Sequence, residues 1–147
     1  MTRRRLAKRA AGAAVLGCLA AVVPGATLAA HSGAMSHVTL NVVKPYKAMA
    51  EWKHAMASAT LTYTKGDITI KLTAENLPMP SALHAHVYVL FAEDGNMWDR
   101  VGVLHTSGSM STVTGTVMMS KVTDLYVYAQ AMSTKHPSGT QVLAAMV

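Results

Sequence analysis

From Ala59 onward the apolar residues of this chain recur at every second position, and that period limits the folds open to it more than any other feature. Leu61 and Tyr63 alternate with threonines, Lys65-Gly66-Asp67 supplies a turn, and Ile68, Ile70 and Leu72 alternate with Thr69, Lys71 and Thr73. In extended chain alternate side chains share a face, so this stretch reads as a hairpin with one buried and one solvated side. Such one-sided burial belongs to antiparallel sheets. Further strands are predicted over residues 85–92, 100–105, 112–119, 125–132 and 140–147, separated by turn residues such as Glu93-Asp94-Gly95-Asn96 and Lys135-His136-Pro137-Ser138-Gly139. Residues 38–43 form a first strand that Pro45 ends, because proline has no N–H for a central ladder. About seven or eight short strands at this spacing predict an all-β, antiparallel β-sandwich of the immunoglobulin-like kind. One helical interruption is expected near residues 46–57, where Met49, Trp52, Lys53 and Met56 have helical spacing.

The residues before these strands read as an export address. Arg3, Arg4, Arg5, Lys8 and Arg9 precede an apolar run over residues 10–23, Pro24 and Gly25 break it, and small residues follow through Ala30. This is the layout of a secretory signal, and the run is too short and too rich in Ala and Gly for a good membrane span. Cleavage is expected after Ala29 or Ala30, leaving no membrane span. Thr2-Arg3-Arg4-Arg5-Leu6-Ala7-Lys8 resembles a twin-arginine signal, which would imply export of a folded chain. A competing reading is lipidation at Cys18, because Val15-Leu16-Gly17-Cys18 is a loose lipobox around the single cysteine. The expected organisation is a signal over residues 1–30, a flexible segment over 31–37, and one domain over 38–147, working in the periplasm, the cell envelope or the medium.

Removing the signal changes what the charge means. The whole chain carries a formal +6, but the part after residue 30 has eight basic residues against seven acidic ones. Without a basic patch to neutralise a phosphate backbone, nucleic acid is not an expected partner. Lys44, Lys47 and Lys53 form the only local cluster, which a solvated face explains.

Several punctuation marks taken together resemble the extracytoplasmic C-terminal domain of anti-sigma-K factors, the RskA-like domain. They are Leu77-Pro78-Met79-Pro80, Tyr88-Val89-Leu90-Phe91, Asp94-Gly95, Val101-Gly102-Val103, residues 125–130, and Pro137-Ser138-Gly139-Thr140-Gln141-Val142-Leu143, in that order across residues 59–147. The chain departs from the family in having Phe91 at its tryptophan and no evident glutamate near Gln130. It also lacks the sigma-binding domain and spanning helix that precede this domain. The resemblance therefore implies an RskA-like sandwich, and function does not follow from it.

No catalytic grouping stands out, and the chain is not expected to be an enzyme. Ser107, Ser109 and Ser111 lie near His105 without a G-x-S-x-G frame. Histidine and methionine offer more. All seven histidines and ten of the eleven methionines follow the signal, and imidazole and thioether are ligands that suit copper. On a strand over residues 85–92, His84, His86 and Tyr88 would share one face, opposite Ala85, Val87, Val89 and Phe91, and Met79 could add a thioether. An ordinary polar sheet face accounts for the same spacing. His31 and His37 offer a second grouping, since cleavage after Ala30 would give His31 a chelating amine and imidazole. Met49, His54 and Met56 read instead as the buried face of a helix, and Met132 and Met146 as core. Met118 and Met119 must face opposite ways. The expectation is an exported binding domain that takes copper through His84, His86, Met79, His31 and His37. The alternative is a metal-free envelope domain that meets another extracytoplasmic protein.

Overall fold

The computed structural model describes residues 33–147. The expected signal over residues 1–30, Cys18 and His31 lie outside the described residues. Nine strands follow in chain order: β1 (Met35–Val42), β2 (Met56–Thr64), β3 (Asp67–Glu75), β4 (Val87–Glu93), β5 (Trp98–Val103), β6 (His105–Ser107), β7 (Met110–Val117), β8 (Asp124–Gln130) and β9 (Thr140–Met146). Every paired neighbour runs antiparallel, in the order β5-β4-β8-β9-β1-β2-β3-β7-β6. The fold is the expected all-β, antiparallel one.

Strand β1 belongs to both leaves of the fold. Its residues Met35 to Leu40 pair with β2, whereas Asn41 and Val42 pair with Ala144 and Leu143 of β9. The leaves are thus one continuous sheet, bent so that Leu61, Ile70 and Leu72 from one side meet Leu90, Leu125, Val127 and Leu143 from the other. Glycines let the far ends approach. A Cβ on Gly102 would lie 2.8 Å from Val113 Cγ2, and one on Gly115 would collide with the Val101 carbonyl, so β5 backs onto β7 and nearly closes the sheet.

Period two is obeyed where only one face is covered. In β3 the buried residues are Ile68, Ile70, Leu72 and Ala74, while the face between them carries Thr69, Lys71 and Thr73, with Thr69 Oγ1 3.0 Å from Thr116 Oγ1 on β7. Strand β4 is covered on both faces, which is why its sequence is a near-continuous apolar run. Tyr88, Leu90 and Ala92 enter the main core; Val89 and Phe91 are equally buried under an outer layer. That layer is aromatic, with the Phe91 ring 5.8 Å from Tyr128 and 6.4 Å from Trp98, both edge-on.

The helix expected near residues 46–57 is two single 3-10 turns, Tyr46–Ala48 and Ala50–Trp52. Met49 between them is extended (φ −86°, ψ 142°), so the single i to i−4 bond of Lys47 N to the Val43 carbonyl is not continued into a ladder, and β2 begins already at Met56. What fixes this segment is Trp52, 4% exposed, with its ring 5.3 Å from that of Tyr46. Among the described residues no helix is long and apolar enough to cross a membrane.

Candidate functional site

Nearly all the described methionines are on the outside. Met35, Met49, Met56, Met79, Met97, Met110, Met118, Met132 and Met146 are exposed, and Met119 alone among the described methionines is buried. Met118 and Met119 do face opposite ways, but the core positions expected for Met132 and Met146 are corrected to 69% and 85% exposure. Met132 lies past the end of β8 and Met146 at the last residue of β9, where no opposing layer covers them. Met49, His54 and Met56 are likewise exposed, since the helix that would have buried them is absent. All six described histidines are exposed as well.

The segment carrying His84 and His86 is organised differently from the expected strand. Pro80 opens a 3-10 turn, Pro80–Leu83, with proline's fixed φ suited to a first helical position, and His84 closes it in the left-handed region (φ 57°, ψ 32°). The turn is held by Ala82 N donating to the Met79 carbonyl, His84 N to that of Ser81, and Ala85 N to that of Pro80. Strand β4 begins only at Val87, so the alternation that would align His84, His86 and Tyr88 is broken. Tyr88 is buried, and its hydroxyl donates to the Pro78 carbonyl at 2.7 Å. Burial first, and the nearby Tyr46 second, push its phenol well above the usual tyrosine range. His84 and His86 remain exposed on a compact loop that begins with Met79.

A second loop is brought alongside this one by a residue that spacing alone did not single out. His86 N donates to the Gln130 carbonyl at 2.9 Å, which sets the start of β4 against the end of β8. The Gln130 side chain is buried and folds the following loop over itself. Its Nε2 donates to the Met132 carbonyl (2.9 Å) and Thr134 Oγ1 (3.2 Å), and its Oε1 accepts from Ser138 N (2.9 Å). Thr134 Oγ1 in turn donates to the His136 carbonyl. One end of the molecule therefore carries Met79, His84, His86, Met132 and His136 on two loops, the first held to the end of β8 by the His86–Gln130 backbone bond and the second folded over the Gln130 side chain. The only signal of this in the sequence is one polar residue, Gln130, closing the apolar alternation of residues 125–129.

His37 is not part of this end. It lies within β1 rather than in a flexible segment, paired with Thr60, with its Nδ1 3.1 Å from Thr60 Oγ1. Val43, whose N–H bonds to Val142 near the start of β9, marks the His86 end of β1. Counting back six positions to His37 at the strand rise gives roughly 20 Å. Among the described residues no three His, Cys, Asp or Glu side chains converge as a metal site. Any copper site built on these residues thus draws on thioethers as well as imidazoles.

Compared with protein-family models, curated proteins and solved structures, the chain matches none, and nothing in those comparisons links it to the anti-sigma-K factors its motif order resembles.

Proposed function

We propose that this chain is an exported binding domain that takes copper through imidazole and thioether groups at the end where the Met79–His86 loop meets the loop after β8. The observation that carries this reading is the solvent exposure of nine methionines and six histidines on a protein whose core is built from Leu, Ile, Val and Ala. Thioethers that fill cores do so for packing. Thioethers held in water contribute nothing there, but they are ligands for Cu(I), and imidazoles serve either oxidation state. His84 and His86 supply the ordered nitrogens, Met79 one sulfur from the same loop, and Met132 a further thioether from the neighbouring one. His31 would contribute only as a separate amine and imidazole chelate at a processed N-terminus, and His37 only through a different site.

Titration with Cu(I) and Cu(II) against a competing chelator tests the reading. Replacing His84 and His86 together by alanine is expected to weaken binding more than tenfold, which corresponds to about 1.4 kcal/mol. The metal-free stability should change by less than about 0.5 kcal/mol, because both side chains are exposed. Unchanged affinity in the double variant removes this site. No binding tighter than millimolar in the parent removes the metal reading and leaves a metal-free, RskA-like domain that meets an extracytoplasmic protein.

A further inference from the structure

Strand β1 changes partner in mid-course, and the change opens a pocket. Through Leu40 it pairs with Ala57 of β2; from Asn41 it pairs with β9. The two leaves part at this seam, and the 3-10 turns between β1 and β2 lie across it. The resulting cavity measures about 450 Å³, within the range of small-ligand sites. Its floor is apolar, with Leu40, Trp52 and Ala57 all buried and Val42 beside them. Its lining carries two ammonium groups, Lys47 and Lys53, against one carboxylate, Glu75. Both lysines come from the same short segment as Trp52.

We infer that this seam pocket binds a monoanionic amphiphile, a carboxylate or sulfonate on an apolar body. An apolar floor gains from removing hydrocarbon or aromatic surface from water. A purely polar anion would gain nothing from that floor, and a neutral lipid would leave the paired lysine charges unused. Lysine suits the anionic group as a point charge on a flexible stem, whose methylenes extend the apolar wall. None of the residues lining the pocket is one of the proposed copper ligands, and the inference does not depend on copper.

The test uses the full chain carrying Trp98→Phe, so that Trp52, the other of its two tryptophans, is the sole indole reporter. Dodecanoate below its micellar range is titrated against Trp52 emission, with dodecanol as the neutral control. Saturable binding of dodecanoate, at least tenfold tighter than dodecanol, is expected. Lys47→Ala with Lys53→Ala should remove most of that preference, and Thr39→Phe, which fills the mouth from an exposed position, should weaken both ligands. The parent chain's Tm should rise with dodecanoate and not in the Thr39→Phe variant. Equal affinity for the two ligands, binding unaffected by the lysine substitutions, or no saturable change in Trp52 emission overturns the proposal.

Discussion

Tyr88 shows how one residue can be read correctly for type and wrongly for side. Its alternation within β4 places it with Leu90 and Ala92 in the core, but the turn before the strand shifts the parity, so it does not accompany His84 and His86. Its hydroxyl reaches the Pro78 carbonyl and so anchors the Met79–His86 loop from beneath. Tyr88→Phe is expected to cost about 1 kcal/mol near neutral pH, the net value of one such hydrogen bond. The pH dependence has a definite sign. The folded protein holds the phenol protonated above its ordinary range, so this contribution is complete below about pH 10 and is lost as pH rises beyond it. Tyr63, Tyr126 and Tyr128 are shifted the same way, chiefly by burial. Urea midpoints across that range should show the gap between parent and Tyr88→Phe narrowing above about pH 10; a gap independent of pH would mean that Tyr88 ionises as it does in the unfolded chain.

At the scale of elements, closure of the sheet rests on the approach of β5 to β7 rather than on a ninth ladder. Gly102 and Gly115 make that approach possible because each lacks the atom that would strike the other strand. At Gly115 the obstacle is backbone, the Val101 carbonyl, which cannot rotate away as a side chain could. Gly115→Ala should therefore destabilise the fold by about 2 kcal/mol, in the range of overpacking, although alanine is no worse than glycine in an ordinary strand. Thermal unfolding of this variant beside Gly66→Ala separates the two causes a glycine can have. Gly66 meets nothing within 4 Å and is needed for its φ of +91° in the β2–β3 turn. An unchanged Tm for Gly115→Ala would show that β5 and β7 are free to separate.

For the whole molecule the distribution of sulfur is the defining property, since the core of the domain is nearly free of it. Mild oxidation by hydrogen peroxide converts each accessible thioether to a sulfoxide, adding one oxygen atom. The nine exposed methionines should react before Met119, and the far-UV spectrum should persist until Met119 is modified. Peptide mapping that finds Met119 oxidised early would contradict its placement in the core. Under the proposed copper reading, oxidation should also abolish the part of the affinity that depends on Met79 and Met132 while leaving the His84 and His86 contribution.

The alternation in residues 59–75 was enough to establish antiparallel strands, because whether a side chain faces core or water in a strand is decided locally, residue by residue. It does not establish parity across a 3-10 turn, so the alternation places His84 and His86 on a strand that in fact starts after them. Nor could it distinguish a methionine in mid-strand from one at a strand end, because exposure at an end depends on whether another layer reaches that far. Met132 and Met146 are uncovered for that reason. The meeting of residues 79–86 with residues 131–138 depends on the β4–β8 register and on the buried amide of Gln130. The pocket beside Trp52 depends on β1 leaving β2 for β9. Both are consequences of pairing between segments far apart in the chain, and the burial pattern of a single strand carries no information about which partner it will have.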